Sequence, residues 1–411
     1  MALDMSSHTS PQLRACSTML LALALAPLGH AAPPKDSPAA NHWVATWAAS
    51  PSPATADADM RRRKMEFDNQ TARLIAHITI GGDRFRVRLA NFYGAKAVGI
   101  AEAHLALRGA GAKIVAGSDR PLTFGGKPAV SIPPGALVLS DPVELKAPPS
   151  ADLAVSLYLP AGAVIASTVH FSAQQTSYVA AGNVCSAEDL PGNATISSWP
   201  YLTGVDVLAP EAFGVIVTLG DSITDGSRST SDTNGRWPNI LANRLLARKG
   251  NKLAVVNAGI GGNRIMSDTN NAAYGPNALA RFDRDVLAMP GLKYVFLFEG
   301  VNDIGAGGSA EDIIFGMKQL IERAHQRGVK IVGATIMPLR TGPPGAARRE
   351  AVNAWIRTSK PFDGLVDFDK TISDPNKPGA FLAAYDSGDN LHPNDAGHKA
   401  MGEAVDLSLF K

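Results

Sequence analysis

Val215-Ile216-Val217-Thr218-Leu219-Gly220-Asp221-Ser222-Ile223 is the stretch that decides the fold of this chain. Its first four residues are β-branched and no polar position alternates through the run, the pattern of a strand buried on both faces. Gly220 breaks the run, and Asp221 and Ser222 are residue types that begin helices. A buried strand, a tight turn and a helix start make the unit of a parallel sheet covered by helices, whose ligand crevice lies at the strands' C-terminal ends. Ser222 falls at that edge.

Working outward, the same rhythm continues to the C-terminus. Strands are expected at 215–219, 253–257, 294–298, 329–335 and 365–368, alternating with helices at 237–248, 278–288, 310–327 and 346–359. Ser309 and Asp312 have the spacing of an N-terminal capping pair. Upstream, from about Trp43 to Gly192, the period changes to two. Leu74, Ala76, Ile78 and Ile80 mark one strand, and Phe85, Val87 and Leu89, interleaved with Arg84, Arg86 and Arg88, mark another. Gly81-Gly82-Asp83 between them predicts a hairpin with one wet face, the arginines forming a charged outer surface. Leu153, Val155, Leu157 and Leu159 repeat the alternation, and punctuation such as Pro133-Pro134-Gly135 and Pro160-Ala161-Gly162 separates several such runs. This half therefore reads as an all-β sandwich. The fold class expected is a β-sandwich-like domain at 43–200 followed by an α/β domain at 201–411, with the Pro- and Gly-rich segment 199–211 as the junction.

The N-terminus has a separate logic. Arg14 precedes an apolar core, Met19 to Ala26, and Gly29-His30-Ala31 offers small residues for cleavage, the layout of a secretory signal peptide. The core is shorter than the about 20 residues a spanning helix needs. A signal at 1–31, a leader at 32–42 and export to the periplasm or medium are expected. Cys16 would leave with the signal, so Cys185 would stand alone without an intrachain disulfide. With 411 residues, 45% hydrophobic content and a net charge of +2, the chain gives no global sign of a nucleic-acid partner. Arg61-Arg62-Arg63-Lys64 reads as a solvated face.

Chemistry gathers where the strands end. Asp389-Asn390-Leu391-His392-Pro393 spaces a carboxylate three residues before a histidine, so a bend can set Asp389 on Nδ1 of His392 and leave Nε2 for Ser222. Each residue alone reads as a cap or a turn. Asn257-Ala258-Gly259-Ile260-Gly261-Gly262-Asn263 follows the second strand, and its glycines let backbone N–H groups approach a ligand. Arg264 stands where a dinucleotide fingerprint requires glycine, so that reading fails. Gly300-Val301-Asn302-Asp303 follows the third strand, and the Asn302 amide can donate to an oxyanion. One polar element per strand end, all at the same edge, is what a crevice site requires.

With these segments in place, the chain resembles the GDSL or SGNH hydrolase family, whose Ser, Gly, Asn and His blocks occur here in order from about Val215 onward. Ile223 replaces the Leu of the family name and keeps its apolar character. The resemblance implies a three-layer, flavodoxin-like parallel-sheet domain preceded by an accessory β domain, and a secreted esterase activity. It further implies Ser222 as nucleophile, His392 as base, Asp389 as the third member, and an oxyanion hole of the Ser222 and Gly262 N–H groups with Asn302. No metal or organic cofactor is implied, and the partner is a small-molecule or carbohydrate ester. The α/β-hydrolase fold is disfavoured because Thr224 stands where G-x-S-x-G needs its last glycine. Two other readings stay open: a metallohydrolase using Asp386, Asp389, His392, Asp395 and His398, and a glycan-binding surface protein. Within ester chemistry, a lysophospholipase or thioesterase is the alternative to a small-acyl esterase.

Overall fold

Five strands pair in parallel: β1 Gly214–Gly220, β2 Leu253–Gly259, β3 Leu292–Phe298, β4 Lys330–Ala334 and β5 Gly364–Val366. This computed structural model describes residues 41–377 and 379–411, so the expected signal peptide and the leader up to residue 40 lie outside the described residues. The spatial order is β2-β1-β3-β4-β5. Every residue of β1 is buried, as its unbroken apolar run requires. The chain departs from β1 to one side for β2 and to the other for β3, so the order reverses beside the end of β1, where open α/β sheets bind ligands. Gly220 pairs with both Gly259 and Phe298, which brings three strand ends level.

Helices Trp237–Ala247, Ala310–His325, Pro343–Ser359 and Asp395–Ala404 pack around this sheet. Ser309 accepts the Asp312 N–H and caps its helix as the spacing predicted. The helix expected at 278–288 is α-helical only over Ala278–Phe282 and then widens into a π turn, Asp283–Leu287. At the helix–sheet contact, Trp237 is fully buried with its ring 4.7 Å from Phe296 and 5.4 Å from Phe368.

The other half is antiparallel, in two main sheets. One runs Asn41–Ala48, Leu202–Pro210, Gly82–Asn91 and Ala136–Leu139, with Val143–Ala147 also on Gly82–Asn91. The other runs Ala194–Ile196, Ser177–Ala181, Gln70–His77, Asp152–Leu159, Glu102–Leu107 and Arg120–Pro121. Gln70–His77 and Gly82–Asn91 thus lie in different sheets, and the expected hairpin does not form. A Cβ on Gly81 would sit 2.3 Å from the Ala147 carbonyl oxygen, so this glycine serves a close backbone approach where the chain crosses between sheets.

Two further expectations are corrected. The segment 199–211 is not a loose junction, because Leu202–Pro210 is an interior strand of the first sheet. The arginines are not a uniform wet face either: Arg84 is exposed on Glu144, whereas Arg86 and Arg88 hold the fully buried Asp206 at 3.0 and 3.2 Å. Arg88 reaches Met289 Sδ at 3.2 Å, and Ala45 N–H donates to the Pro290 carbonyl at 2.9 Å. The α/β half therefore covers this face, and the described residues from Asn41 onward belong to one compact unit.

Trp237→Ala should lower the unfolding free energy by about 3–5 kcal/mol through the cavity it leaves. Urea denaturation reads this directly, and a loss under about 1 kcal/mol would mean that the ring does not anchor the helix to the sheet.

Candidate active site

Asp221 and Ser222 take separate roles where β1 ends. The Asp221 carboxylate accepts the Ile223 N–H at 2.9 Å and caps the short helix Ser222–Asp225, which Gly226 closes in the left-handed conformation at φ 102°. Relieved of capping, the Ser222 hydroxyl lies 2.8 Å from Nε2 of His392.

The histidine is held by its own loop. Asp389 Oδ2 accepts from His392 Nδ1 at 2.8 Å, while Oδ1 accepts the backbone N–H groups of His392 at 2.8 Å and Leu391 at 3.0 Å. Asn390, at φ 55°, makes the bend. Burial opposes the charge on Asp389, but these bonds outweigh it and bring its pKa down to about 2. An ionised Asp389 fixes the proton on Nδ1, so in the neutral ring Nε2 faces Ser222 as an acceptor. Arg228 approaches Asp389 Oδ2 at 3.4 Å from the solvent side. Pro393 precedes the final helix, whose cap is Asn394.

Three donors stand on adjacent strand-end loops. Among the described residues, the N–H groups of Ser222 and Gly262 have no hydrogen-bond partner. Asn302 donates one amide hydrogen to the Asn263 carbonyl at 2.9 Å and keeps the second available. Gly262 has φ 74°, and a Cβ there would meet the Tyr274 ring at 2.5 Å, so both conformation and space demand glycine. Asp303, its pKa raised by burial, accepts the N–H groups of Ile265 and Met266 and ties the loop after β2 to the one after β3.

Sequence reasoning missed the residue beneath these loops. Arg281 is fully buried and donates to the Ala258 carbonyl at 2.7 Å, the Asn263 side-chain oxygen at 2.9 Å and the Gly220 carbonyl at 3.0 Å. Asp285 at 3.5 Å balances its charge, and the Glu299 carboxyl lies 3.9 Å away. Burial pushes the Glu299 and Asp221 carboxyls upward, with Asp221 further opposing the ionisation of Glu299 and Asp303 that of Asp221. Arg281 sits in a helical segment with no motif around it, so nothing in the sequence singled it out.

Of the five residues of the metal reading, Asp389 and His392 bond each other and the other three make separate bonds. Asp386 accepts from Gly388 and Asn390, Asp395 from Thr230, and His398 Nε2 meets the Ser227 carbonyl. Among the described residues no cluster of His, Cys, Asp or Glu is arranged to hold a metal. Cys185 is buried, which pushes its thiol up to about 12.

Residues 218–400 match the GDSL-like Lipase/Acylhydrolase family. The chain carries a domain of that family, and this domain is that of a hydrolase. Similar solved structures include a member of the lipolytic protein G-D-S-L family from Veillonella parvula, at 18% identity and TM-score 0.38, covering 48% of this chain and 97% of that one. The acetyl xylan esterase AlAXEase is 20% identical with TM-score 0.36, over 46% of this chain and 96% of that one. The M. smegmatis aryl esterase is 18% identical with TM-score 0.36, over 46% and 95%. No curated protein matches the sequence.

Arg281→Met would remove the buried donor shared by the Gly220 and Ala258 carbonyls and the Asn263 side-chain oxygen, and leave Asp285 with Arg284 alone as counter-charge. We expect a loss of about 3–5 kcal/mol in denaturant unfolding, whereas retention of wild-type stability would contradict the role given to this guanidinium.

Proposed function

We propose that this protein is an exported serine esterase acting through Ser222, His392 and Asp389, with small-acyl, acetylated-carbohydrate-like esters as its substrates. One observation carries the reading: Asp389 Oδ2, His392 Nδ1, His392 Nε2 and Ser222 Oγ form a continuous line with two contacts of 2.8 Å. In the reaction, Nε2 takes the hydroxyl proton as Ser222 Oγ bonds to the ester carbonyl carbon. The negative charge that develops on the carbonyl oxygen is met by the Ser222 and Gly262 N–H groups and the free Asn302 amide hydrogen. Collapse breaks the bond to the alcohol, which leaves with the proton from His392. Water then attacks the acyl-serine with His392 again as base, releasing the acid and restoring Ser222.

The strand order β2-β1-β3-β4-β5, with helices packed about the sheet, supports a three-layer, flavodoxin-like reading of the hydrolase domain. Export rests on the residues at 1–31. The small-acyl preference is supported by the setting of Ser222, only 8% exposed, and by Tyr274 standing over Gly262.

Ser222→Ala should reduce hydrolysis of nitrophenyl acetate by about 10³-fold or more with the fold intact, and wild-type turnover would refute the mechanism. A nitrophenyl ester series should show rates falling beyond short acyl chains; rates rising with chain length would favour the lysophospholipase alternative.

Asp389→Asn tests the third member. Because its folded pKa is depressed, the carboxylate stays charged above the ordinary carboxylate range, and that charge is lost only as pH falls through about 2. The variant should therefore lower kcat by about 10²–10⁴-fold at neutral pH, and an unchanged kcat would remove Asp389 from the site.

A further inference from the structure

Asp225 ends the helix that Ser222 begins, and its carboxylate meets a side chain from the antiparallel half. His170, on the strand Thr168–His170, places Nε2 3.0 Å from Asp225 Oδ1 and Nδ1 2.8 Å from the Ser50 carbonyl oxygen. A carbonyl oxygen only accepts, so Nδ1 carries a proton, and an ionised Asp225 requires one on Nε2 as well. Burial opposes a charged ring here, but the Asp225 charge and the bonds to Asp225 and Ser50 outweigh it and raise the His170 pKa.

The surroundings make this a built contact rather than a chance one. Both His170 and Asp225 are nearly inaccessible, at 4% and 5% exposure. The imidazole lies 5.3 Å from the Trp199 ring, whose indole N–H is spent on the Ile75 carbonyl. Arg236 is also buried, stands 6.0 Å over the same indole and donates to the Ala173 carbonyl. Asp225 Oδ2 and Arg236 Nε have no protein partner among the described residues. Both residues line a cavity of about 30 Å³ with room for one bridging water. The charged groups facing His170 are Asp225 and Arg236; Asp232 acts on Arg236, and His77 lines the same cavity.

Asp225 also touches the oxyanion side. A Cβ on Gly259 would lie 2.4 Å from Asp225 N, and one on Gly261 would lie 3.9 Å from Asp225 Oδ2. The nucleophile helix, the glycine loop after β2 and the antiparallel half therefore meet around a single residue, Asp225.

We propose that His170 is a positioning residue for the esterase reaction: by holding Asp225 it fixes the Ser222 helix against the Gly259–Gly262 loop, making the antiparallel half part of the catalytic apparatus. This rests on Ser222 as nucleophile, so the test counts reactive serines separately from turnover. His170→Leu leaves Asp225 unpaired, whereas His170→Gln retains a donor. Each variant is titrated with a fluorophosphonate, and kcat is expressed per labelled Ser222. His170→Leu should lose about ten-fold or more in kcat per site with KM within about two-fold, and His170→Gln should recover most of it. Wild-type kcat per labelled site in His170→Leu would show a purely structural role and overturn the proposal. Failure of the wild-type protein to label at Ser222 would instead refute the nucleophile assignment. Should His170→Leu not fold, ¹⁵N-histidine spectra of the wild-type protein followed across pH decide: the His170 ring should hold its second proton to higher pH than an ordinary histidine, and a ring that loses it at or below the ordinary value would overturn the contact.

Discussion

The site depends on one buried guanidinium. Arg281 binds the backbone at the ends of β1 and β2, through the Gly220 and Ala258 carbonyls, and the side chain of Asn263 in the loop that carries Gly262. Buried carbonyl oxygens have two lone pairs to satisfy, and at sheet ends the ladder supplies fewer donors. A single planar donor group answers several of them at once and fixes the spacing of the loops above. Its charge needs compensation when buried, which accounts for Asp285 beside it.

Above that base, polar labour is divided so that the nucleophile is free. Asp221 caps, Ser222 reacts in the proposed chemistry, and Asp389 spends both oxygens on its own loop and on the His392 ring. Local bonds of this kind orient a base without long-range packing, because the donors and the acceptor lie within four residues of one another. The cost of burying the carboxylate is met by three N–H donors, and its lowered pKa records that balance.

How much of this was legible follows from what each signal depends on. The strand read at 215–219 is Gly214–Gly220 in the structure, and the site segments fell at strand ends, because an apolar run and a glycine break are local properties. The antiparallel half was legible in period but not in pairing. Gly81 was read as a turn, yet what it answers is the Ala147 backbone, a neighbour 66 positions later in the chain. Arg86 and Arg88 alternate as a solvated face would, but Asp206 and Met289 come from strands and loops that no local pattern connects to them. Arg281 and the His170–Asp225 contact were invisible for the same reason: their partners are assigned by tertiary packing.

The antiparallel half is thus bound to the hydrolase half by buried charge as well as apolar area, at Arg88 with Met289 and at His170 with Asp225. The central claim is that Ser222 is the one hydroxyl primed for attack, and site-resolved labelling tests it most directly. After inactivation with a fluorophosphonate, peptide mass spectrometry should place one adduct per chain on Ser222, with the loss of esterase activity matching occupancy. Full labelling at another residue, or activity surviving complete modification of Ser222, would contradict the account.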